Sequence, residues 1–134
     1  MNVLDCGCGP GSITVGFAQI VALGRVVGVD LNEDDIRRVE ELARIVETPN
    51  ATFRSAEIYA LPLADEPFDA VFAHGVMEHL AELDAAIREM VRVLKPGGLI
   101  GARSSDHDGH IYFPQDSLID GSLKLIEQAV KRNG

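Results

Sequence analysis

A chain of 134 residues, 46% hydrophobic and 25% charged with mean hydropathy +0.09, falls in the range of an ordinary globular domain. A fold of that size buries roughly two thirds of its unfolded surface, which excludes a disordered segment, a collagen-like repeat and a disulfide scaffold. Twelve Lys and Arg against 21 Asp and Glu give a net charge of −9, which repels phosphate backbones and anionic lipid and argues against nucleic-acid and membrane partners.

Val3-Leu4-Asp5-Cys6 reads as a strand running into the glycine turn Gly7-Cys8-Gly9-Pro10-Gly11-Ser12. Ile13, Phe17, Ile20 and Val21 then recur at helical spacing, so the turn opens a helix that ends near Gly24. Arg25 to Asp30 is a β-branched run of the kind a parallel strand buried on both faces shows, and it ends on a carboxylate. Asn32 suits the N-cap of a second helix, with Glu33, Asp34 and Asp35 at the positive end of its dipole. Ile36, Val39, Ala43 and Val46 form its apolar stripe, and Pro49-Asn50 stops it.

A third strand fits 51–55. After Leu61-Pro62-Leu63 and an acidic turn at Asp65-Glu66-Pro67, a fourth fits 68–73. Leu83, Ile87, Met90, Val91 and Leu94 share one face of a third helix, which Pro96-Gly97-Gly98 terminates, and 99–103 is a fifth strand. The polar stretch 104–110 leads to a last helix over 116–131, with Ile119, Leu123, Ile126 and Val130 at core spacing. Strands alternating with helices across short turns specify right-handed crossovers and a parallel sheet covered on both faces. No repeat or linker interrupts the chain, so one domain over 1–134 is expected. No apolar run reaches the ~20 residues of a membrane span and no charged segment precedes an apolar signal core, so a cytoplasmic location is expected.

Ligands of such sheets bind beyond the carboxyl ends of the strands, where the strand order reverses. Asp5 lies just before the glycine turn, and Asp30 closes the second strand 25 residues later, where a carboxylate can accept hydrogen bonds from both hydroxyls of a ribose. Pro10 removes one N–H from the turn and Asp5 adds negative charge beside it, which makes a poor phosphate cradle. A dinucleotide turn, G-x-G-x-x-G, would need its third glycine at Ser12, but glycine falls one residue early at Gly11. The register argues against an NAD-linked oxidoreductase. A ligand with a ribose and a cationic amino-acid tail but no pyrophosphate, such as S-adenosylmethionine, suits this mouth better. Cys6 and Cys8, separated only by Gly7, form neither a zinc pattern nor a C-x-x-C and read as small apolar residues beside the turn. Asp106-His107-Asp108-Gly109-His110 carries metal-capable side chains on one local loop; it reads as a polar lid over an acceptor pocket, and no metal site is expected.

Four ordered stretches resemble the class I S-adenosylmethionine-dependent methyltransferases, particularly the group acting on small molecules. Val-Leu-Asp-Cys-Gly-Cys-Gly-Pro-Gly at 3–11 is similar to their first motif, and Val-Gly-Val-Asp at 27–30 to their second-strand acidic motif. Ala-Leu-Pro-Leu-Ala-Asp-Glu-Pro-Phe-Asp at 60–69 resembles the segment leading into the fourth strand, and Val-Leu-Lys-Pro-Gly-Gly at 93–98 the turn before the fifth. The resemblance runs from Asn2 to about Arg103. It implies an α/β, Rossmann-like three-layer αβα sandwich with a mainly parallel sheet of five strands in the order 3-2-1-4-5.

It further implies that Asp5 and the backbone of Gly7, Cys8, Gly9 and Gly11 hold the methionine end of the cofactor. Asp30 would bind the ribose hydroxyls and Leu31 would pack on the adenine. The family's adenine-binding aspartate aligns with Glu57, a longer carboxylate, and the next backbone N–H with Ile58. The segment from His74 to His79 follows the fourth strand, where the family places residues facing the methyl donor, His74 among them. His74 and His79 are the candidate bases for an O or N acceptor, while Glu78 reads as a solvated or salt-bridged helix residue.

Family members usually carry a helix before the first strand and an antiparallel strand pair after the last helix, and this chain is expected to lack both. The stretch 99–103 should then be an exposed sheet edge, prone to pairing with a second copy. The expected function is methyl transfer from S-adenosylmethionine to an O, N or C atom of a small molecule. The alternative is a non-catalytic S-adenosylmethionine-binding module or inactive fragment acting as a partner subunit.

Overall fold

A computed structural model describes residues 1–63, 68–105 and 117–133. In chain order it contains β1 (Asn2–Cys6), α1 (Ser12–Ile20), β2 (Arg25–Asp30), α2 (Glu33–Ile45), β3 (Ala51–Ser55) and β4 (Phe68–His74). A 3-10 turn (Met77–His79), α3 (Leu83–Arg92), β5 (Leu94–Arg103) and α4 (Ser117–Asn133) follow. The acidic turn 65–67, the cluster 106–110 and the expected helix start at Asp116 lie outside the described residues.

Met1–Arg103 forms one compact unit and Ser104–Gly134 a second. In the first, all strand pairings are parallel and the order is β3-β2-β1-β4-β5, as the resemblance implied. The register sets Asp5 of β1 opposite Gly28 of β2 and Phe72 of β4. The order reverses at β1, so the carboxyl ends of β1, β2 and β4 meet at one place.

Each sheet face has its own core. Leu4, Cys6, Val27, Val29, Val71 and Ala73 pack with Ala86 and Met90 of α3 on one side. On the other, Val3 and Val26 meet Ala18 of α1, and Val15 of α1 meets Ile36, Val39 and Ala43 of α2. Asn32 caps α2 as expected, its side chain accepting the Asp34 amide at 2.9 Å.

Three expectations shift. The buried face of α1 is Thr14, Val15 and Ala18, while Ile20 is exposed, because Thr14 finds a buried partner that periodicity does not reveal. On α3 the buried residues are Ala86 and Met90, and Leu83, Ile87 and Val91 stay 40 to 54% exposed; the small Ala86 takes the centre of the contact. β5 begins at Leu94, which pairs with Phe68, so Pro96-Gly97-Gly98 is absorbed as an irregularity in the strand after α3 has ended.

In the second unit α4 is helical as expected, although Ile119 and Ile126 remain half exposed: periodicity reports a face, not what covers it. No described helix is long and apolar enough to cross a membrane.

Candidate functional site

A cavity of about 720 Å³ opens at the carboxyl ends of β1, β2 and β4, inside the size range of small-molecule sites. Asp5, Gly7, Cys8, Gly9 and Gly11 form one side of it, and Asp30 and Leu31 the next. Glu57 and Ile58 contribute a third wall, and His74 and His79 a fourth. All the site residues expected from the sequence thus line a single cavity. Val76, inside the expected segment 74–79, also lines it, as do Tyr59, Leu80 and Ile13, which were not anticipated.

The glycine turn is held by its own amides. Gly7 and Cys8 both donate to the Val29 carbonyl, at 2.8 and 2.9 Å, and Gly11 donates to the Cys8 carbonyl at 3.0 Å. Gly9 donates to Oδ2 of Asp30 at 2.8 Å. Pro10 has no N–H, so every amide from Gly7 to Gly11 that can donate does so within the protein. The turn therefore lacks the row of outward donors that a pyrophosphate requires. Gly11 sits at φ +82°, and a Cβ there would overlap the Val39 side chain, which is why α1 and α2 approach so closely behind the turn.

Asp30 closes the link between β2 and the turn. Its Oδ2 accepts from Gly9 and its Oδ1 from the Asn32 amide at 2.9 Å. A carboxylate oxygen offers two acceptor sites, so each retains capacity toward the cavity. Asp5 is 2% exposed and accepts a 2.5 Å hydrogen bond from Oγ1 of Thr14. Burial raises its carboxyl from the ordinary 3.8 to about 6, against the opposing pull of the Thr14 bond and of His74. At neutral pH the buried carboxyl is chiefly an anion facing the cavity.

His74 ends β4 directly opposite Arg103 of β5, and Nη1 of Arg103 lies 2.5 Å from Nε2 of His74. A guanidinium only donates, so in this contact the Arg103 side chain is the donor. The Phe72 ring stacks beside it, centroids 6.3 Å apart. Arg103 was not anticipated; the register of two parallel strands is the signal that finds it. His79 sits in the 3-10 turn. Cys6 and Cys8 are free and buried, and burial, then the Asp5 charge, pushes both thiols up to about 12, the behaviour of packing residues rather than nucleophiles.

Three carboxyl groups, two imidazoles and apolar walls line the cavity, and among the described residues no lysine or arginine does. Nor do three His, Cys, Asp or Glu side chains gather at metal-holding spacing among those residues. Such a site favours a cationic, donor-rich ligand over an anionic one.

The sequence profile of the methyltransferase domain family matches residues 4–101. An uncharacterized methyltransferase of Schizosaccharomyces pombe is 40% identical over 134 residues, covering 96% of this chain and 48% of its own length. The chain thus spans about half the length of that curated relative. Among solved structures, coclaurine N-methyltransferase bound to N-methylheliamine and SAH superposes with TM-score 0.68 at 26% identity, over 74% of this chain and 29% of that one. The [4+2]-cyclase SpnF superposes with TM-score 0.71 at 32% identity, over 75% and 37% respectively.

Proposed function

The chain belongs to the methyltransferase domain family, in the class that depends on S-adenosylmethionine, and from that premise we propose that its cavity binds this cofactor and directs the methyl group to a small-molecule acceptor. The observation that carries the reading is the glycine turn: its amides are all used internally, and carboxylates surround it. That chemistry suits a ligand with a cationic amino acid and a ribose, and disfavours a dinucleotide.

In this reading the Asp5 anion and the close backbone of Gly7, Cys8, Gly9 and Gly11 receive the amino-acid end. The remaining acceptor capacity of Asp30 takes the ribose hydroxyls. Leu31 packs on one face of the adenine, and Glu57 and the Ile58 amide meet its edge. Bound there, the sulfonium would supply a methyl group already activated for transfer, which leaves orientation and proton removal to the protein. His79 is the better base for an O or N acceptor, because Nε2 of His74 is already engaged by the Arg103 guanidinium. His74 then shapes the wall and stays close to the Asp5 carboxylate. The acceptor is read as small because the base-bearing wall adjoins apolar Val76 and Leu80 in an acidic cavity, and because coclaurine N-methyltransferase, with this fold, binds N-methylheliamine.

Residues 1–134 are read as a cytoplasmic methyltransferase core domain. Its β5 edge, with Leu99 69% and Ile100 41% exposed, is the proposed contact with a second copy of the chain. A second reading is a non-catalytic S-adenosylmethionine-binding module or inactive fragment acting as a partner subunit; that a [4+2]-cyclase shares this fold supports only the point that the fold does not by itself fix methyl transfer.

Calorimetry with S-adenosylmethionine and S-adenosylhomocysteine, followed by S-adenosylhomocysteine release across an acceptor screen, separates the two. Binding with turnover supports the methyltransferase, binding without turnover on any acceptor supports the binding module, and no binding at millimolar cofactor removes both.

A further inference from the structure

One ion pair holds both backbone polar groups of Leu61. The Leu61 amide donates 2.9 Å to Oε2 of Glu89, and Nη2 of Arg92 donates 2.9 Å to the Leu61 carbonyl. Glu89 and Arg92 lie three residues apart on α3 and are joined by two further bonds, Nε to Oε1 at 2.8 Å and Nη2 to Oε2 at 2.7 Å. A second tie lies nearby: the amide of Glu82, the N-cap of α3, donates 3.3 Å to the Tyr59 hydroxyl.

These ties act on a stretch with no ladder of its own. Residues 56–63 belong to neither helix nor strand, yet Ala56, Glu57, Ile58 and Tyr59 form one wall of the cavity. Ile58, Leu61 and Leu63 anchor the stretch in the core below α3. The Ala56 amide donates 3.0 Å to the Asp30 carbonyl and the Ala60 amide 3.1 Å to the Glu57 carbonyl, so the start of the stretch is tied to β2, while at its far end apolar packing sets depth without setting position along the wall, because dispersion is not directional. Hydrogen bonds to both sides of one peptide residue are directional, and the charged pair that makes them is itself locked in a two-point geometry.

We infer that the Glu89–Arg92 pair, which touches no part of the cavity, is the positioning device for the base of the cofactor: it fixes Leu61 so that Glu57 and Ile58 present a set edge to the adenine. The inference rests on the cofactor reading above and adds the means of its base selectivity. α3 follows directly on the turn that bears His79 and Leu80, so the same helix is joined to two parts of the cavity lining, and base recognition and acceptor placement share a support.

The test uses the full chain and two ligands, S-adenosylhomocysteine and S-ribosylhomocysteine, which keeps the ribose and the amino acid but has no adenine. Titrations compare wild type with Glu89→Ala, Arg92→Ala and Arg92→Lys, each checked for native circular dichroism. Both alanine variants are expected to lose about tenfold in affinity for S-adenosylhomocysteine while S-ribosylhomocysteine binding moves by less than about twofold, and Arg92→Lys to fall between them and wild type. Amides of 56–61 should also exchange faster in the ligand-free alanine variants while those of β1 and β2 do not. Equal losses for both ligands, or unchanged S-adenosylhomocysteine affinity, overturn the inference. If an alanine variant does not fold, Arg92→Lys and Glu89→Gln carry the comparison with the same two outcomes. Wild type that binds neither ligand overturns the cofactor reading and this inference together, whereas wild type that binds beside unaltered variants overturns this inference alone.

Discussion

The amide of Gly9 donates 2.8 Å to Oδ2 of Asp30, across 21 residues, so the end of β2 fastens the turn that follows β1. With Gly7 and Cys8 on the Val29 carbonyl, the turn is bound to β2 at three points. Asp30 therefore does two things in this account: it shapes the glycine turn and it offers its remaining acceptor capacity to a ribose.

Both tasks fail in Asp30→Ala. Loss of charged hydrogen bonds of about 1.5–3 kcal/mol should lower S-adenosylhomocysteine affinity by roughly 10- to 100-fold, read by calorimetry. Asp30→Asn keeps an acceptor toward one amide but sets an NH₂ group against the other, so its loss should approach that of alanine. Unchanged affinity in both variants would remove Asp30 from the site.

Two glycines of the turn should respond differently to alanine. At Gly11 positive φ combines with overlap on Val39, and Gly11→Ala should destabilise the fold by about 2–4 kcal/mol. At Gly9, φ is +51° but a Cβ meets nothing within 4 Å, so Gly9→Ala should cost only about 1–2 kcal/mol. Urea unfolding of the two variants checks the order; equal midpoints would contradict it.

Asp5 should make stability depend on pH in a defined direction. Its folded value of about 6 lies above the ordinary 3.8, so the folded chain binds the proton more tightly. The contribution of this group falls as pH rises from about 4 to about 6, and above that the buried charge costs about 3 kcal/mol. Asp5→Asn, which can still accept from Thr14, should exceed wild type in stability at pH 7.5 by up to that amount and match it near pH 4. It should also bind S-adenosylmethionine more weakly. Urea unfolding at pH 4, 5.5 and 7.5 measures the difference, and a pH-independent difference would contradict the account.

The turnover of an acceptor identified by screening should separate the histidines. If His79 removes a proton from an O or N acceptor, His79→Ala should lower kcat by about 10²-fold or more with S-adenosylhomocysteine affinity unchanged. His74→Ala leaves Arg103 without its ring partner and should weaken cofactor binding as well. An effect on kcat confined to His74→Ala would reverse the assignment.

Much of this was legible in the residues. The alternation of periods located the five strands, and the glycine turn and the carboxylate ending β2 pointed to the end of the sheet where the cavity opens. What escaped was non-local. The Thr14 bond to Asp5 spans nine residues, and the bond from the Leu61 amide to Glu89 spans 28, so no local pattern of side chains announces either. Backbone donors and acceptors carry no residue-type signature, so their partners cannot be read from a pattern of side chains. The buried face of α3 was misplaced for another reason: large apolar residues dominate any periodicity, and the contact centres on Ala86.

The exposed edge of β5 makes an association prediction. If two copies pair there, light scattering should show a concentration-dependent dimer, and Leu99→Lys should shift it to monomer without altering cofactor affinity. A wild-type monomer at high concentration would contradict it.

The central claim is that the turn and its carboxylates select a cationic nucleoside over a dinucleotide. Calorimetric titration of the wild-type chain with S-adenosylhomocysteine and with NAD tests it most directly. The account predicts one-to-one binding of S-adenosylhomocysteine that Asp30→Ala weakens, and no heat from NAD at the same concentrations; NAD binding as tight as S-adenosylhomocysteine, or no binding of S-adenosylhomocysteine at millimolar concentration, would contradict it.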